Sequence, residues 1–298
     1  MNHVIEWTSR RQTDLWDVPL PLTGRVRARR WPPSLLIGGL ICGLMAILAL
    51  TAPLLAPYDP NAIRSAERLL PPSPAHLLGT DRYGRDMLSR LLFAARLDLW
   101  GASLAVLCCA GIGVPLGMAA GYAGRWIDQV LSRLMDIWLS VPGMLVAIVT
   151  VAVLGPSLTN AMLAVGIMTV PILFRTTRAG VLACLSQEYV ESARAAGGSH
   201  WHILRRHILP NSLSTILVTT TLQYGMILLA GSGLSFLGFG AQPPQSEWGT
   251  MLAEGKSYLH TAWWLTLFPG LMLALAVLGI NLLGDGLRDL SDPVIRRC

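Results

Sequence analysis

Four groups of residues in this chain have types and spacings that suggest chemistry, and three of them fail on inspection. Gly249, Gly255, Lys256 and Ser257 look like a phosphate-binding loop, but five residues separate the glycines where four are needed to wrap backbone amides around one phosphate. His200, His202 and His207 present imidazoles at close spacing, yet no carboxylate or thiolate in that segment completes an ordered metal site. Ser235, in Gly233-Leu234-Ser235-Phe236, would need a base at its own depth to act as a nucleophile. All six histidines (3, 76, 200, 202, 207 and 260) lie outside the apolar stretches. The expectation is a chain with no catalytic residue, no metal and no cofactor of its own.

The fourth group, Gln187 to Asn211, points to recognition. Residues 188–196 are helix-prone, with Glu188 and Glu191 in the first turn, where the helix dipole favours negative charge. Gly197-Gly198 should stop that helix, because glycine readily takes the left-handed conformation. A second short helix follows, with Trp201, Leu204 and Ile208 at helical spacing and Pro210 closing it. Two short helices joined by a tight bend make a rigid knob for another protein. The small residues Ser192, Ala193, Ala195 and Ala196 do not favour a helix that merely lies on lipid.

Two further polar segments precede or follow apolar stretches. Leu78 to Asp86 leads into an amphipathic helix over 87–97, capped by Thr80 or Asp81, and by itself suggests an interfacial helix with balanced charges. Leu234 to Gly240 and Gln242-Pro243-Pro244 precede a helix in which Trp248, Leu252, Gly255 and Leu259 share a face, placed at the membrane surface near the mouth of a pathway.

The elements that must position these groups are membrane spans. With 53% hydrophobic residues, 13% charged residues and a mean hydropathy of +0.52, the 298-residue chain is too apolar for an ordinary soluble domain. Six windows hold no Asp, Glu, Lys, Arg or His: Leu35–Ala56, Leu99–Gly121, Ile137–Gly155, Leu158–Phe174, Ser212–Leu237 and Leu265–Gly284. A bilayer core of about 30 Å needs about 20 apolar residues, and only helices satisfy their own backbone there. The third and fourth windows are near the short limit. Prolines 115, 142, 171 and 269 fall within the spans and are expected to be accommodated by neighbouring helices.

Arginines at 10, 11, 25, 27, 29 and 30 place the N-terminus in the cytoplasm, and six crossings return the C-terminus to the same side. The stretch from Pro57 to Asp98 runs against this rule with six arginines outside. The net charge of +6 reflects the inside bias and contact with anionic membrane lipid, and no basic, aromatic-interleaved soluble domain exists to bind nucleic acid. The first apolar run is too long and too far from the N-terminus for a secretory signal, so it is an uncleaved anchor. Cysteines 42, 108, 109, 184 and 298 suggest neither a disulfide framework nor a metal site. A proton-coupled carrier normally needs an ionisable group inside the membrane, and these windows contain none. Energy must then arrive through a partner.

These segments resemble the binding-protein-dependent ABC importer permeases of the dipeptide, oligopeptide and nickel group. Glu191, Ala193, Gly197, Leu209 and Pro210 match the docking signature of that family, with Ser192 in place of its central alanine and His207 where isoleucine is usual. Gly79-Thr80-Asp81 with Gly84-Arg85-Asp86, Leu234 to Gly238, Pro243-Pro244, Trp248-Gly249-x-Met251-Leu252 and Asn281 to Asp289 with Asp292-Pro293 are similar, in order, to segments of its C-type subunit. The similarity runs over roughly residues 76–293.

The resemblance implies an all-α, six-span type I ABC importer permease fold, N-in and C-in. It divides the chain into a cytoplasmic segment 1–34, a first span 35–56, a periplasmic segment 57–96, a core 97–284 containing the docking loop 175–211, and a tail 285–298. It also implies a second homologous permease subunit, two ATPase subunits that hydrolyse ATP, and an extracytoplasmic solute-binding protein. Glu188, Tyr189, Glu191, Ala193, Ala196, Gly197, Trp201, Arg205, His207 and Pro210 would then meet an ATPase. The expected cargo is a di- or oligopeptide. The alternatives are nickel, glutathione, an opine or another small solute, and, from a different class, an intramembrane enzyme. Glycines 113, 117 and 121, spaced by four, suit close helix contact.

Overall fold

Apolar windows become helices where the backbone has no other hydrogen-bond partner, and helices dominate the computed structural model, which describes residues 31–291. The arginines of the N-terminal segment, Asp292-Pro293 and Cys298 lie outside the described residues. Five helical stretches are long and apolar enough to cross a membrane: α1 (Pro33–Leu55), α2 (Met87–Tyr122), α5 (Leu158–Leu185), the run from His200 to Phe236 that ends in α8 (Leu209–Phe236), and α10 (Trp264–Ser291). Between α2 and α5 lie α3 (Arg125–Ser140) and α4 (Gly143–Leu154). Two short helices, α6 (Glu188–Ala195) and α7 (His200–Ile203), precede α8, and α9 (Trp248–Gly255) follows it.

The third apolar window, Ile137–Gly155, is divided rather than being one straight span. Its first four residues belong to α3, and the axis turns by 82° before α4. Val141 is held extended (φ −95°, ψ 130°) by the proline that follows it, and Pro142 has no amide to continue the ladder. Twelve residues of α4 rise only about 18 Å, short of a bilayer core. Counted as one broken span with α3, the segment brings the crossings to six. Pro142 thus breaks its helix, while Pro53, Pro115, Pro171 and Pro269 lie inside α1, α2, α5 and α10.

Two other expectations change. Residues 87–97 are not a separate interfacial helix, because α2 runs unbroken for 36 residues, across the expected boundary at 96/97. Residues 285–291 continue α10 instead of leaving it.

The tightest packing joins α2 to α5. A methyl group on Gly113 would fall 3.0 Å from Leu173 Cβ, on Gly117 2.6 Å from the Phe174 carbonyl oxygen, and on Gly121 2.7 Å from Val181 Cβ. Gly166 of α5 returns the contact, 2.8 Å from the Ala105 carbonyl. Glycine is needed because backbone approaches backbone over about three turns. Cys109, Ala120, Met135, Val170, Leu173 and Phe174 fill the space beside this seam. The outer faces of α1 (Leu40, Leu50, Leu54) and α4 (Val149, Val153) remain exposed and apolar, as surfaces that meet lipid or another membrane chain must be. Gly117→Ala is expected to destabilise the chain by about 1–3 kcal/mol. Gly111→Ala, where a methyl group meets nothing within 4 Å, should not. Thermal unfolding of both variants in detergent micelles checks this.

Candidate functional site

At the inner end, α6 begins with Glu188 and Glu191 in its first turn and ends in a backbone motif set by glycine. Gly197 sits at φ +83°, its amide donates to the Arg194 carbonyl at 2.9 Å, and the Gly198 amide reaches back to the Ala193 carbonyl at 3.0 Å. The chain then re-enters a helix at His200, capped by Ser199, whose hydroxyl oxygen accepts from the His202 amide at 3.3 Å. Val190, Ile203 and Ile208 are buried against Val181 of α5, with Met118 and Tyr122 of α2 packed alongside. The Tyr122 hydroxyl lies 2.9 Å from His200 Nδ1 and donates to the His200 carbonyl at 3.2 Å. The two short helices are therefore fixed to the inner ends of α2 and α5.

Pro210 does not close the second short helix. Leu204–Ile208 form a π-turn, in which the Leu209 amide donates to the Leu204 carbonyl, and the chain continues into α8 with Pro210 in its first turn. Wider spacing at that turn makes room for the missing proline amide. Of the residues at helical spacing, Ile208 turns inward together with Ile203, while Trp201 is 68% exposed. Glu188, Tyr189, Glu191, Ala196, Gly197, Trp201, Arg205 and Pro210 are exposed, whereas Ala193 and His207 are half-buried. The imidazole of His207 packs against the rings of His202 and Tyr189. Among the described residues no group of three or more His, Cys, Asp or Glu side chains is placed to hold a metal ion.

The outer end holds a polar core that sequence reading missed. Asp81, Arg85, Asp86 and Arg90 are all buried, so the segment is no balanced interfacial surface. Asp81 Oδ2 accepts from Arg85 Nε at 2.6 Å and from Arg90 Nη1 at 2.5 Å, and both guanidinium groups also reach Glu254 of α9, at 3.3 and 3.0 Å. Arg90 Nε donates to Ser246 Oγ at 3.2 Å. The cap of α2 is Asp86, not Thr80 or Asp81: its Oδ2 accepts from the Ser89 amide at 2.8 Å, and its Oδ1 lies 2.9 Å from His76 Nδ1. Thr80 instead ties the loop together, donating to the Glu67 carbonyl and accepting from the Leu70 amide. Arg64, Arg82, Arg85 and Arg90 each have a carboxylate partner, which accounts for arginines on the outer side against the positive-inside trend.

Beside this core, α9 buries Trp248, Gly249, Met251 and Gly255. It ends at Gly255, which leaves Leu259 exposed rather than on a shared face. Gly249, Gly255 and Lys256 sit on that helix and its C-cap, so no phosphate-binding loop exists there. Asp98, one residue before the second charge-free window, is inside α2 and fully buried, with Oδ2 accepting from the Trp248 amide at 3.0 Å. Glu247 is fully buried as well, and burial pushes its carboxyl up to about 7, against partial relief from the Ala241 amide. The signal available for the first cluster was Arg90 one turn after Asp86, with glycines at 79 and 84 setting tight turns around Asp81 (φ +78° and +75°). Between α1, α2, α8 and α10 lies an open groove of about 1030 Å³, largely apolar, whose polar lining includes Ser103, Thr220, Thr221 and Tyr224 and, beside them, Arg96 and Ser246.

A helical membrane chain with a broken third span, a polar outer core and an exposed inner helix pair has the architecture of a transport permease, and its relatives are of that kind. The profile of the family described as binding-protein-dependent transport system inner membrane component matches residues 113–297, and that of the N-terminal transmembrane domain of oligopeptide transport permease C matches residues 33–72. The chain is 43% identical over 261 residues to the dipeptide transport system permease protein of Alkalihalophilus pseudofirmus, covering 88% of this chain and 86% of that one. It is 42% identical over 267 residues to the di/tripeptide transport system permease protein of Pseudomonas aeruginosa, covering 87% and 88%. A solved structure of the inward-facing MetNI methionine ABC transporter contains a chain of the same fold, with a TM-score of 0.57 at 18% identity, covering 69% of this chain and 98% of that one. This chain belongs to the family of inner membrane components of binding-protein-dependent transport systems.

Removing one member of a buried ion pair leaves the other charge stranded. Arg90→Met is therefore expected to lower stability by about 3–5 kcal/mol. Arg96→Met, on an exposed position of the same helix, should be nearly neutral. Thermal unfolding, together with limited proteolysis of the 238–247 loop, reads both effects.

Proposed function

We propose that this chain forms half of the membrane pathway of an ATP-driven importer for di- and oligopeptides, and that α6, the Gly197 turn and α7 dock it onto an ATPase subunit. The observation that carries this reading is the exposed helix pair itself. It presents Glu188, Tyr189, Glu191, Trp201 and Arg205 to solvent while its opposite face is fastened to α2 and α5. A part so built transmits a push. Force applied at Glu191 reaches α5 through the Val190–Val181 contact and α2 through the hydrogen bonds between Tyr122 and His200. The glycine seam makes those two helices move as one unit. ATP bound elsewhere can then bias the spans between two arrangements without any nucleotide chemistry in this chain.

The partners are a second, related permease, two ATPase subunits that hydrolyse ATP, and an external solute-binding protein, as the family description and the resemblance of the 188–211 segment support. The peptide assignment rests on the names of the relatives, which specify dipeptides and di/tripeptides.

Glu191→Lys and Gly197→Trp are each expected to abolish ATP-driven peptide uptake while the protein still inserts in the membrane. Glu191 is exposed, so its reversal spares the core; Gly197 holds φ +83°, which a tryptophan tolerates poorly. Normal uptake by both variants in reconstituted vesicles would sink the docking assignment. Mass spectrometry of the ligand held by the cognate binding protein is expected to find a short peptide.

A further inference from the structure

Asp98 and Glu247 are both fully buried, and among the described residues neither joins an ion pair. Each uses one carboxyl oxygen on a backbone amide: Asp98 Oδ2 on Trp248 at 3.0 Å, Glu247 Oε2 on Ala241 at 2.9 Å. The other oxygen of each, Asp98 Oδ1 and Glu247 Oε1, is buried with no hydrogen-bond partner, and so are the hydroxyls of Ser232 and Ser235 on α8. Because Trp248 follows Glu247 in the chain, the amide held by Asp98 brings the two carboxyls close enough for their charges to repel.

Among the described residues no neighbouring cation relieves them. On α2, Arg90 is matched to Asp81 and to Glu254 of α9, and Arg96 is exposed. Lys256, after α9, has its Nζ over the Phe236 ring, and the one ionisable group of α8, Tyr224, donates to the Leu99 carbonyl. Gly240 and Gly249 pack closely on α8 beside the two carboxyls, where added methyl groups would fall 2.7 Å from Ser235 Cα and 2.8 Å from Ser235 Cβ. Two unpaired negative charges cannot both persist in such a place.

We propose that Asp98 and Glu247 form a proton-binding site in which one shared proton fastens the 238–247 loop to α2. The carboxyl that carries the proton donates to the free oxygen of the other. When the proton leaves to solvent, both carboxylates are charged, repel, and release the loop at the outer face. The direction with pH follows from linkage. The folded carboxyl of Glu247 sits near 7, above its ordinary value of 4.5. The latch is therefore at full strength below about 4.5, weakens as pH rises toward about 7, and is spent above it.

The test uses the full chain in lipid vesicles, with infrared titration of protonated carboxyl groups and hydrogen exchange at the Ala241 and Trp248 amides, corrected for intrinsic rate. In the unaltered chain a buried, protonated carboxyl band should persist at neutral pH and vanish on raising it. Opening at the two amides should increase about tenfold per pH unit between about 4.5 and about 7. Glu247→Gln, a neutral isostere, should remove the component of the band that titrates near 7 and flatten the pH dependence of exchange, and Asp98→Asn should shift the remaining Glu247 band, because its proton loses its acceptor. A band unchanged in both variants, or exchange in the unaltered chain that does not depend on pH, would overturn the proposal. Replacement of the band by bound sodium as sodium is added would overturn it too, in favour of a cation site.

Discussion

The close approach of α2 and α5 sets the terms for everything else in this chain. Glycines 113, 117 and 121 on one helix and Gly166 on the other let backbone meet backbone along most of a span. In lipid there is no hydrophobic drive to press helices together, so such contact depends on small residues and dense packing. The seam matters because α2 is 36 residues long, about 54 Å at helical rise, and its two ends do different work. The outer end carries Arg90 and Asp98 into a polar core. The inner end presents Tyr122 to His200 of the exposed helix pair.

The polar core at the outer end is expensive to bury and is built accordingly. Asp81 takes two guanidinium groups, and both are shared with Glu254, so no charge among these residues is stranded. Such a network adds little net stability over an apolar core, but it is specific: only one register of the 57–86 segment against α9 satisfies Asp81, Arg85, Arg90 and Glu254 together. Trp264 Nε1, donating to the Thr80 carbonyl at 3.1 Å, extends the same lock to the start of α10. The outer segment is thereby fixed to helices far from it in sequence, as a shaped surface rather than a loose loop.

Much of this was legible before the structure. The charge-free windows locate the helices, since uncharged length is what a bilayer demands, and the spacing of Gly113, Gly117 and Gly121 announces a close contact. The pattern from Glu188 to Gly198 gives a helix and its stop because both signals are local. What was not legible depended on tertiary partners. Asp98 ended a charge-free window and was therefore assigned to the water side, although the Trp248 amide, 150 residues away, makes its burial possible. Arg90 and Asp81 read as surface charges in the sequence for the same reason, since their partners are brought in by tertiary folding. Prolines 142 and 210 were misjudged in opposite directions. Pro142 breaks its helix because it holds Val141 extended and lacks an amide, whereas Pro210 is absorbed by a π-turn just before it.

The two ends of the molecule also differ in how they are held, and the difference suits a device driven from one side. The outer end is locked by buried charge pairs around Asp81 that tolerate little displacement. The inner helix pair rests on a small apolar patch, Val181 with Val190, Ile203 and Ile208, helped by the hydrogen bonds from Tyr122. The third span is hinged by 82° and held to α5 by Arg178 Nη2 with Asp128 Oδ2 at 2.6 Å and Arg175 with Asp136 at 2.7 Å. The Arg175–Asp136 pair is exposed and contributes little, whereas the half-buried Arg178–Asp128 pair is bidentate and holds α3 more firmly. The 82° bend at Pro142, where the proline has no amide to continue the helix, is therefore the compliant point of the third span, and the outer lock is the stiffest part. Motion begun at the inner surface should bend the broken span first, while α2 and α5 carry the load between the two ends as a single strut.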